Sequence, residues 1–275
     1  MKILYFGGGL GNQIFEYAFY LSVKDRFPKE KVYGVFDEKR FKEHAGGFEI
    51  EKIFNVNLPR TSFVAKSVMK MIMAWNKLIH PTAKYCHNLT NPNYHAVLFN
   101  AFKMNKEFYE GRKNWISYKP QCLNERNKEI IHDMLSSNSV SLHVRRGDFL
   151  SSKYAANHVG IATDKYYADA IRYICEKMDN PKFFVFSDDI PWCKSNLNIH
   201  DAVFVDWNTG EDSYIDMYLM KHTKANIIAN STFSYWGAYF NANNPLVIYP
   251  KKWKYSESEE ALDIFPDNWI GMESD

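Results

Sequence analysis

Arg145 and Arg146 stand directly after an apolar run, residues 139–144, that predicts a buried β-strand. Arginine does not lose its proton at any physiological pH, so two guanidinium groups at the end of a buried strand need a counter-charge beside them. A diphosphate would supply that charge, and so would carboxylates of the protein itself. The sequence therefore predicts either an anion-binding site or a pair of salt bridges at this position.

Three more clusters of polar residues stand directly after predicted strands. They are residues 7–13, residues 187–189 and residues 230–232. In open α/β sheets, ligands bind in the crevice beside the carboxyl ends of the strands. We therefore expect all four clusters to line one cleft between two domains.

The cluster at residues 7–13 is rich in glycine and precedes a predicted helix, where nucleotide-binding loops are found. Its spacing fails the Gly-x-Gly-x-x-Gly pattern in both registers, and no Gly-Lys-Ser/Thr follows. The sequence instead predicts a tight turn that a ligand can approach closely, with Asn12 and Gln13 offering amide donors. A strand-to-helix turn capped by an Asn side chain stays open as an alternative.

Ser231 and Thr232 come just before a predicted helix at residues 233–240. Their hydroxyls and the N–H groups of the first helical turn would cap the helix, hold a phosphate, or do both.

Asp216 lies inside another predicted helix, at residues 211–223. One interpretation is a solvated ion pair with Lys221 or Lys224. The other is a carboxylate that accepts the N1–H and N2–H protons of a guanine base.

Short apolar runs alternate with amphipathic stretches along the chain, which predicts βα units. In the second half, the predicted strands are residues 139–144, 182–186, 202–206, 226–229 and 246–249, and the predicted helices are residues 127–135, 164–177, 211–223 and 233–240. In the first half, the predicted elements are a strand at 2–6, a helix at 12–26, a strand at 31–36 and a helix at 62–78. We therefore predict an α/β fold with an N-terminal domain at 1–124 and a C-terminal domain at 125–275.

Composition narrows the function classes. The 34 Lys and Arg against 32 Asp and Glu argue against a general nucleic-acid-binding surface. The four cysteines have no metal-binding or disulfide spacing, and the first apolar run is too short for a signal peptide. No later run is long enough to span a bilayer. We therefore expect a cytoplasmic protein kept in a reducing compartment.

The helix predicted at residues 62–78 carries a Met-rich apolar stripe with Lys66, Lys70 and Lys77 between its members. We expect it to be a packed surface helix. Contact with a membrane surface or a partner is the alternative, which would make the protein membrane-peripheral.

Four motifs, in order along the chain, resemble those of the family 11 glycosyltransferases, the α-1,2-fucosyltransferases. They are Gly-Gly-Leu-Gly-Asn-Gln at 8–13 with Phe-Glu-Tyr-Ala at 15–18, His-Val-Arg-Arg-Gly-Asp at 143–148, Phe-Ser-Asp-Asp at 186–189, and Asn-Ser-Thr-Phe-Ser-Tyr-Trp-Gly-Ala at 230–238. The resemblance covers residues 1 to about 250. Because four motifs occur in sequence order, it is far more specific than any one of them.

The resemblance implies a GT-B fold, in which two Rossmann-like domains face each other across a cleft. It also implies GDP-L-fucose as the donor, with no metal and no other cofactor. The acceptor would be a galactose-terminated glycan, and transfer to its 2-hydroxyl would invert the anomeric carbon.

The resemblance also implies roles for individual residues. Arg145 would neutralise the β-phosphate of the departing GDP, with Arg146 in support. His143 and Asp216 would hold guanine, and Asn12 would reach the diphosphate or the fucose. The rest of the predicted donor-binding set is Gly9, Gly11, Gln13, Ser187, Asp188, Ser231 and Thr232.

Inversion requires a group that takes the acceptor's proton, and the sequence offers Asp148, Glu16 and His158. Asp148 is equally suited to orienting an arginine, so the predicted catalytic set is Arg145, Asp148 and Asn12 with the base left open. A fucosyltransferase of another linkage would show the same motifs. A glycan-binding protein without catalysis would explain the 16% aromatic content but not the arginine pair.

Overall fold

The computed structural model describes residues 1–43, 47–79, 85–86, 90–147, 158–253 and 262–274. The chain divides into two compact units, Met1–Gln121 with Leu262–Phe265, and Cys122–Ala261 with Pro266–Asp275. The first boundary lies three residues before the one predicted at 124. The return of Leu262–Phe265 to the N-terminal unit was not predicted, since local sequence patterns carry no information about it.

The N-terminal unit contains a four-stranded parallel sheet in the order β2-β1-β4-β3. Its strands are β1 (Lys2–Phe6), β2 (Val32–Phe36), β3 (Tyr85–Cys86) and β4 (Leu98–Asn100). Its helices are α1 (Leu10–Arg26), α2 (Glu38–Lys42), α3 (Ile50–Ile53) and α4 (Phe63–Ile79), with a 3-10 turn at Lys106–Phe108. The central position of β1 places the glycine-rich loop at the middle of the carboxyl edge of this sheet.

Helix α4 packs one face on this sheet, as the sequence predicted for a surface helix. The buried cluster consists of Ala65, Met69 and Ile72 from the helix with Ile3, Val35 and Leu98 from the strands. Spacings of four and three residues put the helical members on one side. The opposite side of α4 is therefore left to face away from the sheet.

The C-terminal unit contains a six-stranded sheet in the order β10-β9-β8-β5-β6-β7, and all its pairings are parallel. Its strands are β5 (Ser139–Val144), β6 (Lys182–Ser187), β7 (Val203–Val205), β8 (Ala225–Ile227), β9 (Leu246–Pro250) and β10 (Ile270–Met272). Its helices are α5 (Glu125–Ser136), α6 (Asp164–Lys177), α7 (Ile190–Asn196), α8 (Tyr214–Met220) and α9 (Thr232–Tyr239), with a 3-10 turn at Gly210–Asp212. This strand order is that of a doubly wound Rossmann sheet.

The predicted helix at 211–223 is wrong in extent, because the structure has a 3-10 turn followed by the short helix α8. The carbonyl of Met220 accepts hydrogen bonds from the Thr223 hydroxyl at 2.9 Å and the Asn226 amide at 2.9 Å. These side chains occupy a carbonyl that a longer helix would use for its own N–H groups. The chain consequently turns into β8 one residue earlier than predicted.

Side-chain hydrogen bonds join the two central strands of this sheet. Asn226 of β8 donates to the Ser141 hydroxyl of β5 at 2.5 Å, and the Asn241 amide donates to Asn226 Oδ1 at 3.2 Å. All three residues are buried. Because buried amides are costly unless satisfied, this network specifies which strand lies beside β5.

The predicted α/β class, with two Rossmann-like units, is confirmed. All four cysteines are free thiols, as expected. In the described part of the chain, no helix is both long enough and apolar enough to cross a membrane. The cytoplasmic location stays a prediction.

Candidate active site

The C-terminal sheet reverses its strand order between β5 and β8. A sheet of this kind binds ligands at that reversal, beside the carboxyl ends of the two strands. Arg145 and Arg146 follow β5, and Ser231 and Thr232 follow β8 after a three-residue link. The topology therefore brings two of the predicted clusters to the expected place within one unit.

Arg145 forms an ion pair across to the end of the neighbouring strand β6. Its Nη1 lies 3.3 Å from Oδ2 of Asp188, and the side chains are 29% and 24% exposed. The salt-bridge alternative is thus present in the unliganded protein. It does not exclude an anion site, because a guanidinium has five N–H donors and this one stays partly open to solvent.

Arg146 is held more extensively than Arg145. Its Nε lies 3.4 Å from Oδ2 of Asp189, its guanidinium stacks over the Trp192 ring at 4.0 Å, and its backbone N–H donates to Asp188 Oδ1 at 2.9 Å. These contacts orient the loop after β5. The supporting role in donor binding that the resemblance implied for Arg146 stays a prediction.

Ser187 and Asp188 were predicted to bind the donor, and the structure gives both of them scaffold contacts. The Ser187 hydroxyl accepts the Asp189 N–H at 2.9 Å. Asp188 holds the arginine loop, and a Cβ on Gly147 would lie 3.1 Å from its Oδ2. Asp188 is therefore a positioning residue for Arg145, because it fixes the guanidinium and the following backbone.

Asp189, which belongs to the predicted cluster at 187–189, and Trp192, which the sequence did not single out, both support the arginines. The Asp189 carboxylate accepts the Trp192 N–H at 3.1 Å and so caps α7. The Asp-x-Pro pattern at 189–191 is a recognisable helix start and could have revealed the cap. The stacking of Trp192 on Arg146 has no such local signal.

His143 is 5% exposed, near the carboxyl end of β5. Its carbonyl accepts the Tyr167 hydroxyl proton at 3.2 Å, and its ring centroid lies 5.8 Å from that of Phe233. Phe233 belongs to the first turn of α9, beside Ser231 and Thr232. The imidazole and the start of α9 therefore belong to the same site.

Ser231 is the N-cap residue of α9, but its side chain makes no capping hydrogen bond. Its carbonyl accepts from the Tyr235 N–H at 3.0 Å. Asn230 is committed to structure instead, since its amide donates to the Trp253 carbonyl at 3.2 Å. The Ser231 hydroxyl therefore does not cap α9, and its contact with a phosphate stays a prediction.

Asp216 is not paired with either neighbouring lysine. Its carboxylate accepts from the Asn208 amide at 2.8 Å, while Lys221 stacks over Tyr218 at 4.5 Å and Lys224 donates to Asn138 at 3.2 Å. The solvated ion pair considered from the sequence is thus wrong. Burial raises the pKa of Asp216 to about 7, although the Asn208 hydrogen bond acts against the shift.

A buried amide pair positions Asn208 against Asp216. Asn127 Nδ2 donates to Asn208 Oδ1 at 2.9 Å, and the Trp207 indole donates to Asn127 Oδ1 at 2.8 Å. The guanidinium of Arg126 covers the Trp207 ring at 3.5 Å. Asn208 was missed from the sequence because Asn127, which positions it, lies 81 residues away in the chain.

In the N-terminal unit, the glycine-rich loop is shaped by its own helix. Gly8 has φ +138°, and a Cβ there would lie 2.7 Å from Nδ2 of Asn12. Gln13 donates to the carbonyls of Gly8 and Gly47 and accepts the N–H groups of Glu49 and Ile50, at distances from 2.8 to 3.0 Å. The Gln13 amide is therefore fully used in forming the loop, with no proton left for a ligand.

Glu16 holds the first residue of the same loop from the interior of the N-terminal unit. It is fully buried, and its Oε1 accepts the Gly7 N–H at 2.9 Å. Burial raises the pKa of this carboxyl well above its usual range, against the opposing charges of Arg40 and Lys103. The side chain of Arg40 also packs on Gly7, since a Cβ there would lie 3.1 Å from it. The sequence singled out neither basic residue.

The sequence profile described as glycosyl transferase family 11 matches residues 10–273. The chain belongs to glycosyltransferase family 11. This confirms the resemblance deduced from the four motifs, and the enzyme is therefore a glycosyltransferase.

Several named proteins are similar to this chain. An α-1,2-colitosyltransferase of Escherichia coli is 33% identical over 97% of this chain and 97% of its own length. The O-antigen biosynthesis glycosyltransferase WbnK of Escherichia coli is 29% identical over 96% of this chain and 98% of its own. A galactoside α-(1,2)-fucosyltransferase 1 of Lagothrix lagotricha is 24% identical over 50% of this chain and 38% of its own.

The three candidates for the general base of this transferase differ in their surroundings. Asp148, also predicted as catalytic, lies outside the described residues. Glu16 is sealed inside the N-terminal unit, so it would have to move to reach an acceptor. His158 is half-buried, and its carbonyl accepts the Asn230 amide at 3.4 Å. Burial therefore argues against Glu16 as the general base, and Asp148 and His158 remain the candidates.

Proposed function

We propose that this protein transfers L-fucose from GDP-L-fucose to the 2-hydroxyl of a terminal galactose, with inversion and without a metal ion. The observation that carries the proposal is Arg145, fixed at the reversal point of the C-terminal sheet beside His143 and the start of α9. Membership of family 11 supports the reaction class. The names of two relatives, an α-1,2-colitosyltransferase and a galactoside α-(1,2)-fucosyltransferase, support the α-1,2 linkage.

In the proposed reaction, the galactose 2-hydroxyl attacks the anomeric carbon as the bond from that carbon to the β-phosphate oxygen breaks. The electron pair leaves with GDP, and the hydroxyl proton goes to a general base or to water. Negative charge grows on the leaving phosphate, so the Arg145 guanidinium stabilises the transition state more than the ground state. It would supply the charge that a metal ion supplies in other transferases.

The remaining site residues bind the donor in this proposal. His143 and Asp216 hold guanine, and Ser231 with Thr232 and the first N–H groups of α9 contact a phosphate. Asn12, Gly9 and Gly11 contribute from the N-terminal unit. The acceptor is a galactose-terminated glycan.

GDP-colitose is the second candidate donor, because one relative that aligns over nearly the whole chain transfers colitose. Colitose is L-fucose without its 3-hydroxyl. The two donors therefore differ in a single hydrogen-bonding group. A site built to bind that hydroxyl would reject the deoxy sugar strongly, whereas an apolar site discriminates weakly.

The test is incubation of the purified protein with lactose and either GDP-fucose or GDP-colitose, followed by linkage analysis of the product. We expect a 2-substituted galactose from one donor with a clear preference over the other. A product at another position would replace the proposed linkage. Binding of the galactoside with neither GDP binding nor turnover would instead indicate a glycan-binding protein, and binding of UDP or ADP as tight as that of GDP would overturn the donor class.

A further inference from the structure

Exposed apolar side chains are concentrated on one helix of the N-terminal unit. Of the seven large apolar residues exposed in the described part of the chain, four lie on α4. They are Phe63 at 84%, Val64 at 60%, Met71 at 65% and Trp75 at 57%. Scattered single residues of this kind need no explanation, but a group on one helix indicates a surface that binds something.

The arrangement on α4 is ordered along the helix. Val64, Met71 and Trp75 follow one another at spacings of seven and four residues, which places them in one stripe. Lys66 and Lys70 are exposed and form a second stripe at a spacing of four. The helix thus has a face packed on the sheet, an exposed apolar stripe, and an exposed basic stripe.

The segment of the sequence that contains α4 carries charge of one sign, although Lys103 within it is buried. Eight of the 34 Lys and Arg lie in residues 52–106, and none of the 32 Asp and Glu does. The rest of the chain therefore carries more acid than base, although the whole protein is close to neutral. A basic segment with exposed Trp, Phe and Met fits an anionic surface that also accepts apolar groups.

We propose that the exposed face of α4, formed by Phe63, Val64, Lys66, Lys70, Met71 and Trp75, docks this protein on the surface of an anionic phospholipid bilayer. The apolar side chains enter the boundary between headgroups and acyl chains, and the two lysines pair with lipid phosphates. This chemistry favours a bilayer over the apolar groove of a protein partner. At the lipid surface, charged headgroups lie directly above apolar acyl chains, and the helix offers lysines and an apolar stripe on one exposed face. The proposal does not depend on the donor or the acceptor.

The test uses cosedimentation of the full chain with phosphatidylcholine vesicles, with and without phosphatidylglycerol. We expect binding only when phosphatidylglycerol is present, and weaker binding as salt is raised. The double variant Met71→Ser with Trp75→Ser should lower the partition coefficient by more than about tenfold. Lys66→Gln with Lys70→Gln should lower it by roughly fivefold for each lysine removed.

Two matched controls separate docking from general effects. Leu135→Ser removes an apolar side chain that is 56% exposed on α5 of the C-terminal unit. Lys29→Gln with Lys31→Gln removes two exposed lysines of the N-terminal unit, to which α4 belongs. Both should bind vesicles like the unaltered protein. Thermal unfolding of each variant establishes that it is folded.

The proposal is overturned if the unaltered protein stays in solution with anionic vesicles, or if the controls lose as much binding as the α4 variants. Sedimentation velocity tests the alternative that this face of α4 binds a second copy of the chain. An oligomer that the Met71→Ser and Trp75→Ser changes convert to a monomer would show that this face joins two copies of the chain, which would also overturn the proposal.

Discussion

At the residue scale, the site is organised around an arginine whose charge is already balanced before any ligand arrives. Asp188 pairs with Arg145 at 3.3 Å and also binds the next backbone N–H at 2.9 Å. A pair this exposed contributes little stability, so an incoming phosphate can compete for the guanidinium at small cost. The carboxylate then serves mainly to keep the arginine in place between turnovers.

Arg145→Ala should lower kcat by a factor of about 100 to about 1,000, because it removes the charge that stabilises the leaving phosphate. The protein should stay folded, since the side chain is 29% exposed. Steady-state kinetics with the preferred donor and lactose measure the effect. Arg172→Ala, at an exposed position of α6, is the control and should keep full turnover; near-normal kcat in Arg145→Ala would remove Arg145 from the mechanism.

Asp216 should make GDP affinity depend on pH. In the proposed site its carboxylate would accept both guanine protons only when ionised, and burial raises its pKa to about 7. Affinity should therefore fall as pH drops below about 7 and level off above it. Calorimetry with GDP from about pH 6 to about pH 8 measures this. Asp216→Asn should bind weakly at every pH, whereas Asp212→Asn should keep the dependence; a flat profile in the unaltered protein contradicts the assignment.

Lys103 is a buried cation that should cost stability. Its Nζ is buried without a hydrogen-bond partner among the described residues, and burial lowers its pKa from 10.5 to about 8. Below the folded pKa the cost is fully present, and it disappears as pH rises toward the unfolded value. Lys103→Met should therefore raise the free energy of unfolding at neutral pH by about 2 kcal/mol, partly offset because Glu16 loses a favourable charge.

Urea denaturation at neutral and alkaline pH tests this prediction, with the exposed residue Lys24 changed to Met as the control. The gain from Lys103→Met should shrink as pH approaches 10.5. A variant destabilised at every pH would show that Lys103 is compensated by its surroundings and is not a buried cost.

At the element scale, the first strand-to-helix connection owes its shape to backbone geometry and buried side chains. Gly8 adopts φ +138°, whereas Gly9, the N-cap of α1, has φ −70°. Gln13 and Glu16, one turn apart on α1, bind the loop backbone on both sides. The motif therefore encodes a rigid turn, in which only some members are available to a ligand.

Gly8→Ala should destabilise the protein by about 1 to 3 kcal/mol, because a Cβ at this φ is strained and would meet Asn12 at 2.7 Å. Gly9→Ala is the matched control, since its backbone conformation suits any residue. Chemical denaturation of the two variants measures the difference. Equal stability would mean that the loop relaxes easily and is not rigid.

At the scale of the whole molecule, the residues predicted to bind the donor are divided between two α/β units. The C-terminal unit holds the strand-order reversal with Arg145, His143 and Asp216, and the N-terminal unit holds the glycine-rich loop. The charge of the chain is also unevenly divided, with a basic segment at 52–106. Donor binding and surface docking are thus assigned to different elements and can be tested independently.

GDP should stabilise the folded protein as a whole through mass action. At a concentration about 100 times its dissociation constant, it should add about 2.7 kcal/mol, seen as a rise in the unfolding temperature. UDP at the same concentration should have a much smaller effect. Differential scanning calorimetry makes the comparison, and Arg145→Ala should lose most of the GDP-induced rise.

Most of the fold could be predicted from the sequence, because burial imposes a period on the chain. Strands β1 and β5 and helix α6 were predicted at their observed bounds. The predictions failed where a strand is too short to show a period, or where side-chain hydrogen bonds end a helix early. Strands β3, β4 and β10 have only two or three residues each, and α8 is ended by Thr223 and Asn226.

The candidate site was predicted less completely than the fold. Motifs located the residues near the strand ends but could not separate ligand-binding side chains from those that hold the loops. Gln13 and Ser187 were predicted to bind the donor, yet their side-chain polar atoms form hydrogen bonds with the backbone. Asn208 was absent from the prediction although it is the partner of Asp216.

The sequence by itself determined the α/β class, the family and the strand ends where chemistry collects, because periodicity and motifs are local properties of the chain. Only the tertiary structure decided which polar groups are occupied. Hydrogen bonds such as Asn127 to Asn208, and the ion pair of Arg145 with Asp188, join residues more than 40 positions apart. Their geometry depends on how strands and helices pack, which no local pattern encodes.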